Sequence, residues 1–292
     1  MGKVIRFESH PARESVVENP WQKLKDFTSA RIALGRCGSS VPTNEWLSFS
    51  FDHAKAMDAV HCALDIRKLA QDIAQSSVMT SQIGREPIVV KSKANDRFEY
   101  LQRPDFGREL SKESMEVVAE HRQDQHAYDL AFVVADGLSS VAIQRHAVPL
   151  LEALLVRLTS QHKAPWRIAP ITIVEQGRVA VGDDVAQCLN ANMVVVLIGE
   201  RPGLTSPDSM GMYLTWGAKR GSKDSERNCI SNIRPQGLNY SDAAFRASYL
   251  LEEARSLKLT GVNLKDRSSM DEQQDGLTLG EQHQSNFLIS KQ

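Results

Sequence analysis

The sequence lacks the features that most directly announce a function. No apolar run approaches the roughly 20 residues that a membrane-spanning helix requires, and the opening "MGKVIRFESHPARESVVENP" has no apolar stretch of the length of a secretion signal. The start "MGKVIR" also lacks the Ser or Thr at the sixth position that myristoylation needs. A cytoplasmic protein with no membrane partner is expected. Charge of either sign is not in excess: 35 Lys plus Arg stand against 36 Asp plus Glu. Without a basic field there is little to collect phosphates along a nucleic acid, so that partner class is not expected either. Only four cysteines are present, Cys37, Cys62, Cys188 and Cys229, with no Cys-x-x-Cys pair and no partnered histidine. Structural zinc is therefore not expected, no metal ligand is assigned, and free thiols are the default. The Gly-x-Gly-x-x-Gly and Gly-x-x-x-x-Gly-Lys-Ser/Thr phosphate cradles are absent, as is the Gly-x-Ser-x-Gly nucleophile elbow.

What is present is enough for a full core. A chain of 292 residues, 41% hydrophobic and 24% charged, is compatible with one large domain or two smaller ones, and two are favoured. Residues 1–19 read as a loose arm. Asn19-Pro20 reads as an N-cap followed by proline at the first helical position, opening a helix over "WQKLKDFTSARI". After the loop "GRCGSSVPT", one helix is expected from Thr43 to Gln75, with Ala56, Val60, Leu64 and Ile66 near helical spacing. Residues 20–115 thus form a smaller, mainly helical lobe.

From residue 116 to 266 the period changes. "LAFVVADG" (130–137), "WRIAPITIVEQG" and "MVVVLIGE" read as strands; continuous β-branched residues suit a central strand covered on both faces. Helices are expected over "SSVAIQRHAVPLLEALLVRL", capped by Ser139 or Ser140, over "GDDVAQCLNA", and over "YSDAAFRASYLLEEARSLKL". "TGVNLK" reads as a last strand. Strands alternating with helices imply an α/β fold with a doubly wound parallel sheet. The tail 267–292 is polar and Gln-rich and is read as disordered.

Ligands of such sheets bind beyond the carboxyl ends of the strands. That directs attention to "LIGERPGL" (197–204), where Glu200 leaves the apolar run, although a surface loop would read the same way. Asp136 ends another strand; turn chemistry is its first reading, an acid, base or ligand-holding role its second. Asp52-His53 and Arg145-His146 each set an imidazole beside a charge, but helix neighbours do not face each other, so surface or satisfied buried roles are favoured. Cys229 in "RNCISNIRP" could act as a nucleophile, yet no partner base is identifiable and a structural thiol is the preferred reading.

Taken together, "ARIALGRCGSSVPT", "DHAKAMDAVH", "LQRPDFGREL", "VVADGLSSVAIQRHAVPLL", "IGERPGLTSPDSMGMY" and "ERNCISNIRPQGL" resemble the small subunit family of ethanolamine ammonia-lyase, over about residues 30–266. The resemblance implies an adenosylcobalamin-dependent enzyme that converts ethanolamine to acetaldehyde and ammonia by a radical mechanism. It implies a large subunit that is a TIM barrel holding ethanolamine, in an assembly of six large and six small subunits. It makes residues 116–266 a Rossmann-like, cobalamin-contacting domain, with Val179, Glu200 and Cys229 on cofactor-contacting positions and no catalytic residue on this chain. No Asp-x-His-x-x-Gly motif occurs, consistent with base-on cobalamin. The first 30 or so residues depart from the family pattern. Related small subunits vary there and some carry a signal for packaging into a bacterial microcompartment, which leaves the compartment open. Two other readings are a non-catalytic α/β small-molecule-binding module and a thiol enzyme using Cys229.

Overall fold

The computed structural model describes residues 16–160 and 165–268; most of the expected arm (1–15) and nearly all of the tail (269–292) lie outside them. The elements in chain order are α1 (Thr43–His61), α2 (Ile66–Gln75), α3 (Ser77–Gln82), β1 (Ile88–Lys91), α4 (Arg97–Gln102), α5 (Lys112–Ala119), β2 (Tyr128–Ala135), α6 (Ser140–Ser160), β3 (Thr172–Glu175), α7 (Val181–Leu189), β4 (Ala191–Gly199), β5 (Met210–Trp216), β6 (Asn228–Ile233) and α8 (Tyr240–Leu257).

The six strands form one sheet in the order β1-β3-β2-β4-β5-β6. β1, β3, β2 and β4 run parallel, whereas β5 and β6 run antiparallel to their neighbours. The sheet is thus α/β and mostly parallel, but mixed rather than parallel throughout. Alternation along the central strands divides the interior into two cores. Leu130, Phe132 and Val134 of β2 and Met193, Val195 and Leu197 of β4 face α2, α3, α6 and α8. Ala131, Val133 and Ala135, with Val194, Val196 and Ile198, face α5 and α7. A strand covered on both faces has no polar side to show, which is why these two read as unbroken apolar runs.

Three sequence expectations change. The helix expected over 43–75 is two helices, because the chain turns extended at Cys62 and restarts at Asp65, whose carboxylate accepts the Lys68 N–H at 3.0 Å. The helix opened by Asn19 is a short 3-10 turn, Pro20–Asp26, which buries nothing and so gains no packing to extend it. "TGVNLK" is not a strand. Gly261 sits at φ +78°, its N–H donates to Asn228 Oδ1 at 2.7 Å, and Gly261–Asn263 forms a 3-10 turn. The caps of α6 and α8 agree with their sequences. Ser139 caps α6 by accepting the Ala142 N–H at 3.2 Å, and Asn239 caps α8 by accepting the Asp242 N–H at 2.9 Å.

Candidate functional site

The carboxyl ends of β2, β3 and β4 lie side by side, and the loops that leave them form one wall of a cavity of about 820 Å³. From β2 come Gly137 and Leu138; from β3 come Arg178, Val179 and Ala180; from β4 come Ile198, Gly199, Glu200 and Arg201. Tyr100 of α4 and Arg108 close one side, and Tyr213 of β5 with Arg227 and Cys229 of the last strand region close the other. Val179, Glu200 and Cys229, three residues distant in sequence, therefore line a single cavity.

Close packing fixes the rim. A β-carbon on Gly199 would lie 2.1 Å from Ser139 O and 2.6 Å from Asp136 O, and Gly137 has φ +59° with Gly199 O only 2.3 Å from where its β-carbon would stand. Only glycine lets the two strand exits touch. Asp136, 1% exposed, lies beneath this contact. Its Oδ1 accepts the Gly177 N–H at 3.0 Å, and its Oδ2 lies 3.4 Å from Arg97 Nη1. Burial raises its carboxyl to a pKa of about 6, against the opposing pull of Arg97 and three backbone N–H groups. The residue thus ties the β2 exit to the β3 exit and to α4, which is more than a turn former and is no part of the cavity lining.

Glu200 is anchored from three directions. Its N–H donates to Ser209 O at 2.9 Å, Ser209 Oγ donates to its Oε2, and the Asn232 N–H lies 3.3 Å from both carboxylate oxygens. No ion pair joins it to Arg201 among the described residues. Because a carboxylate has about four acceptor positions, these contacts leave acceptor capacity toward the cavity. Cys229 and Tyr213 face each other across β5 and β6. Desolvation raises the Cys229 thiol above its usual range, partly offset by a hydrogen bond with the Tyr213 hydroxyl, and desolvation raises that hydroxyl as well. A thiol pushed upward is a poor nucleophile at neutral pH.

A buried ion pair supports the floor. Both guanidinium Nη atoms of Arg227 reach Asp183, at 2.7 and 2.8 Å, with each side chain 2% exposed. Burial raises the Asp183 carboxyl and Arg227 opposes it. This pair, Tyr100 and Arg178 were not singled out by the sequence; "ERNCISN" carried Arg227, but nothing in it disclosed a partner 44 residues away.

The other sequence candidates lie elsewhere. Asp52 pairs with Arg31 at 3.4 Å, and His53 stacks on Phe49 at 6.1 Å between ring centroids. His146 is buried, with Nδ1 2.7 Å from Tyr240 Oη and Nε2 3.6 Å from Asp208; desolvation lowers its pKa, with Asp208 opposing. Both histidines are accounted for structurally. Among the described residues no cluster of three or more His, Cys, Asp or Glu could hold a metal ion.

A family profile described as ethanolamine ammonia-lyase light chain matches residues 18–265. The chain belongs to that family. The ethanolamine ammonia-lyase small subunit of Pseudomonas putida is 48% identical to it over 284 residues, which cover 96% of this chain and 99% of the relative. That of Azotobacter vinelandii is 47% identical over 280 residues, 96% and 98% of the two chains. That of Pseudomonas fluorescens is 48% identical over 262 residues, 89% and 91%. The light-chain match spans every strand of the sheet and every cavity residue named above. No helix among the described residues is long and apolar enough to cross a membrane.

Proposed function

We propose that this chain is the small subunit of an adenosylcobalamin-dependent ethanolamine ammonia-lyase, and that its strand-exit cavity holds part of the cofactor at the interface with the large subunit. One observation carries the cavity assignment. Val179, Glu200 and Cys229, the residues that the family resemblance assigns to cobalamin, converge on one cavity although three different elements supply them. Enzymes of this family use adenosylcobalamin. When bound, it supplies the hydrogen-abstracting radical chemistry through homolysis of its cobalt–carbon bond.

The residues present suit that group. A corrin is a broad apolar ring with a rim of amide side chains, so its site needs apolar surface together with separate donors and acceptors. Leu138, Val179, Ala180 and Ile198 give the apolar surface, Glu200 gives a charge-assisted acceptor, and Arg201 gives donors. Val179 and Cys229 serve by apolar contact or through main-chain groups. Nothing in the cavity is poised for covalent catalysis, which suits a subunit that encloses a reactive cofactor without reacting. Position at the carboxyl ends of parallel strands is that of a Rossmann-like domain, which we assign to residues 116–266, with residues 20–115 as a mainly helical lobe that lends β1 to the edge of the sheet. The large subunit is the partner, ethanolamine the substrate of the complex, and six large plus six small subunits the proposed assembly. The cytoplasm is the proposed location. Packaging into a microcompartment is a second reading that turns on the amino-terminal arm.

The purified chain alone should not deaminate ethanolamine, and activity should appear on adding the large subunit and adenosylcobalamin; turnover by the chain alone would overturn the proposal. In the reconstituted complex, Glu200→Ala should weaken cobalamin binding about ten- to a hundred-fold, the loss of a hydrogen bond to a charged group. Glu200→Gln, which keeps the shape and one acceptor oxygen, should weaken it less. An unchanged dissociation constant for Glu200→Ala, with the expected loss of its Ser209 and Asn232 contacts showing only in thermal stability, would remove Glu200 from the site. Cys229→Ser should retain deamination, whereas loss of chemistry with intact cofactor binding would favour the thiol-enzyme reading.

A further inference from the structure

Four arginines line the cavity, Arg108, Arg178, Arg201 and Arg227, and two of them have carboxylate partners. Arg227 is bidentate to Asp183, and Arg108 lies 3.7 Å from Asp224. Arg178 has no carboxylate in ion-pair range among the described residues, although it is half-buried. Its place is nevertheless well determined. The Arg178 N–H donates to Gly107 O at 2.7 Å, the guanidinium lies 4.2 Å from the centre of the Tyr100 ring, and Nη2 approaches Tyr100 O at 3.5 Å. Tyr100 is itself fully buried, with its hydroxyl donating to Gly177 O at 3.2 Å. The Arg178 Nε is shielded from solvent and has no hydrogen-bond partner. Arg201 has no carboxylate in range either among the described residues, but it enters from an exposed loop where water solvates its charge.

A partly desolvated guanidinium held in one orientation with no counter-charge is a site waiting for an anion. Its planar fork matches phosphate oxygens through charge-assisted hydrogen bonds, and stacking on Tyr100 reduces the conformational freedom that binding would otherwise remove. In cobalamin the corrin rim is made of neutral amides, and the anionic group is the phosphodiester of the nucleotide loop. We propose that Arg178 binds this phosphodiester, and so orients the nucleotide loop against the wall formed by the β3 exit and α4. This inference rests on reading the cavity as the cobalamin site. It gives this chain a part in recognising the tail of the cofactor, apart from its contacts to the corrin.

The test uses the complex reconstituted with the large subunit and reads equilibrium binding without turnover. Cyanocobalamin carries the nucleotide loop; cobinamide has the same corrin without the phosphodiester or the base. Arg178→Ala should weaken cyanocobalamin binding about tenfold or more, as for loss of a charge-assisted hydrogen bond, while cobinamide affinity changes less than about twofold on the same scale. Arg178→Lys should recover part of the loss, since it restores the charge but not the fork. Arg178→Gln keeps a side chain over Tyr100 and is read in the same way if the alanine variant does not fold. Equal weakening of both ligands would overturn the proposal, because Arg178 would then serve the corrin rim or the fold; unchanged cyanocobalamin affinity would also overturn it. Failure of the wild-type complex to bind cyanocobalamin would instead overturn the cofactor reading of the cavity, and this inference with it.

Discussion

Strand β4 and helix α1 are the two extremes of the molecule. Met193 to Ile198 of β4 are all buried, with one core on each face of the strand. Over 19 residues α1 buries only Ala59, and it leaves Trp46, Leu47, Phe49, Phe51 and Met57 between 40% and 61% exposed. The difference shows where accurate geometry originates. Glu200 inherits its position from the best-packed element of the chain, whereas α1 is held by a few polar ties such as Arg31 to Asp52 and to the Glu45 carbonyl, the latter at 2.9 Å. A site built beyond a doubly covered strand is fixed before any ligand arrives.

The contrast can be broken most severely at the cavity floor. Arg227→Met would leave the Asp183 carboxylate buried and uncompensated, and should cost about 3–5 kcal/mol of unfolding free energy, read from the denaturant midpoint. Gly199→Ala should follow at about 3 kcal/mol, because the new β-carbon would meet backbone oxygens that have no freedom to swing aside; a neutral result would show that the strand exits are looser than their packing implies. Next comes pH. The Asp136 carboxyl titrates near 6 in the fold and near 4 in the unfolded chain, so between those values the unfolded chain has released a proton that the fold retains. Stability from this group is therefore greatest below pH ~4, falls as pH rises to ~6 by at most about 3 kcal/mol, and is flat above. Asp136→Asn should remove that slope, and a wild-type slope identical to the variant's would refute the assignment. The smallest effect belongs to α1. Phe51→Ser should change stability by no more than about 0.5 kcal/mol in the isolated chain, and the α1 amides should exchange with solvent deuterium faster than those of β4.

How much of this was legible in the sequence follows the same physics. β2 and β4 announced themselves because burial on both faces leaves a continuous apolar run. β1 has four residues and alternates buried with exposed, and β6 breaks its apolar residues with Ser231 and Asn232, so neither carries that signal. β5 contains Gly211 and runs antiparallel, a direction that no local pattern encodes; it emerges only from pairing Met193 with Trp216 and Gly199 with Met210. The break between α1 and α2 has no Gly or Pro to mark it, and its one available sign was Asp65, a good N-cap. As for the site, Glu200 was visible as a charge emerging from an apolar run. As cofactor contacts, Val179 and Cys229 came from family resemblance alone; locally Cys229 stood out only as a thiol, and Val179 not at all. Arg178 was hidden because its distinction is a partner it lacks, which can be seen only when its surroundings are known.

The mixed sheet also bears on how the chain is made. β4 lies between β2, already synthesised when it appears, and β5, which begins 11 residues after β4 ends. During that interval on the ribosome the most apolar strand of the protein has one row of backbone N–H and C=O groups satisfied and the other open, the condition in which nascent strands recruit foreign edges. The antiparallel pair closes that edge with the next stretch to emerge, and the same closure brings up Tyr213 and Cys229, so a chain truncated within residues 200–209 would have both an uncapped sheet and half a cavity.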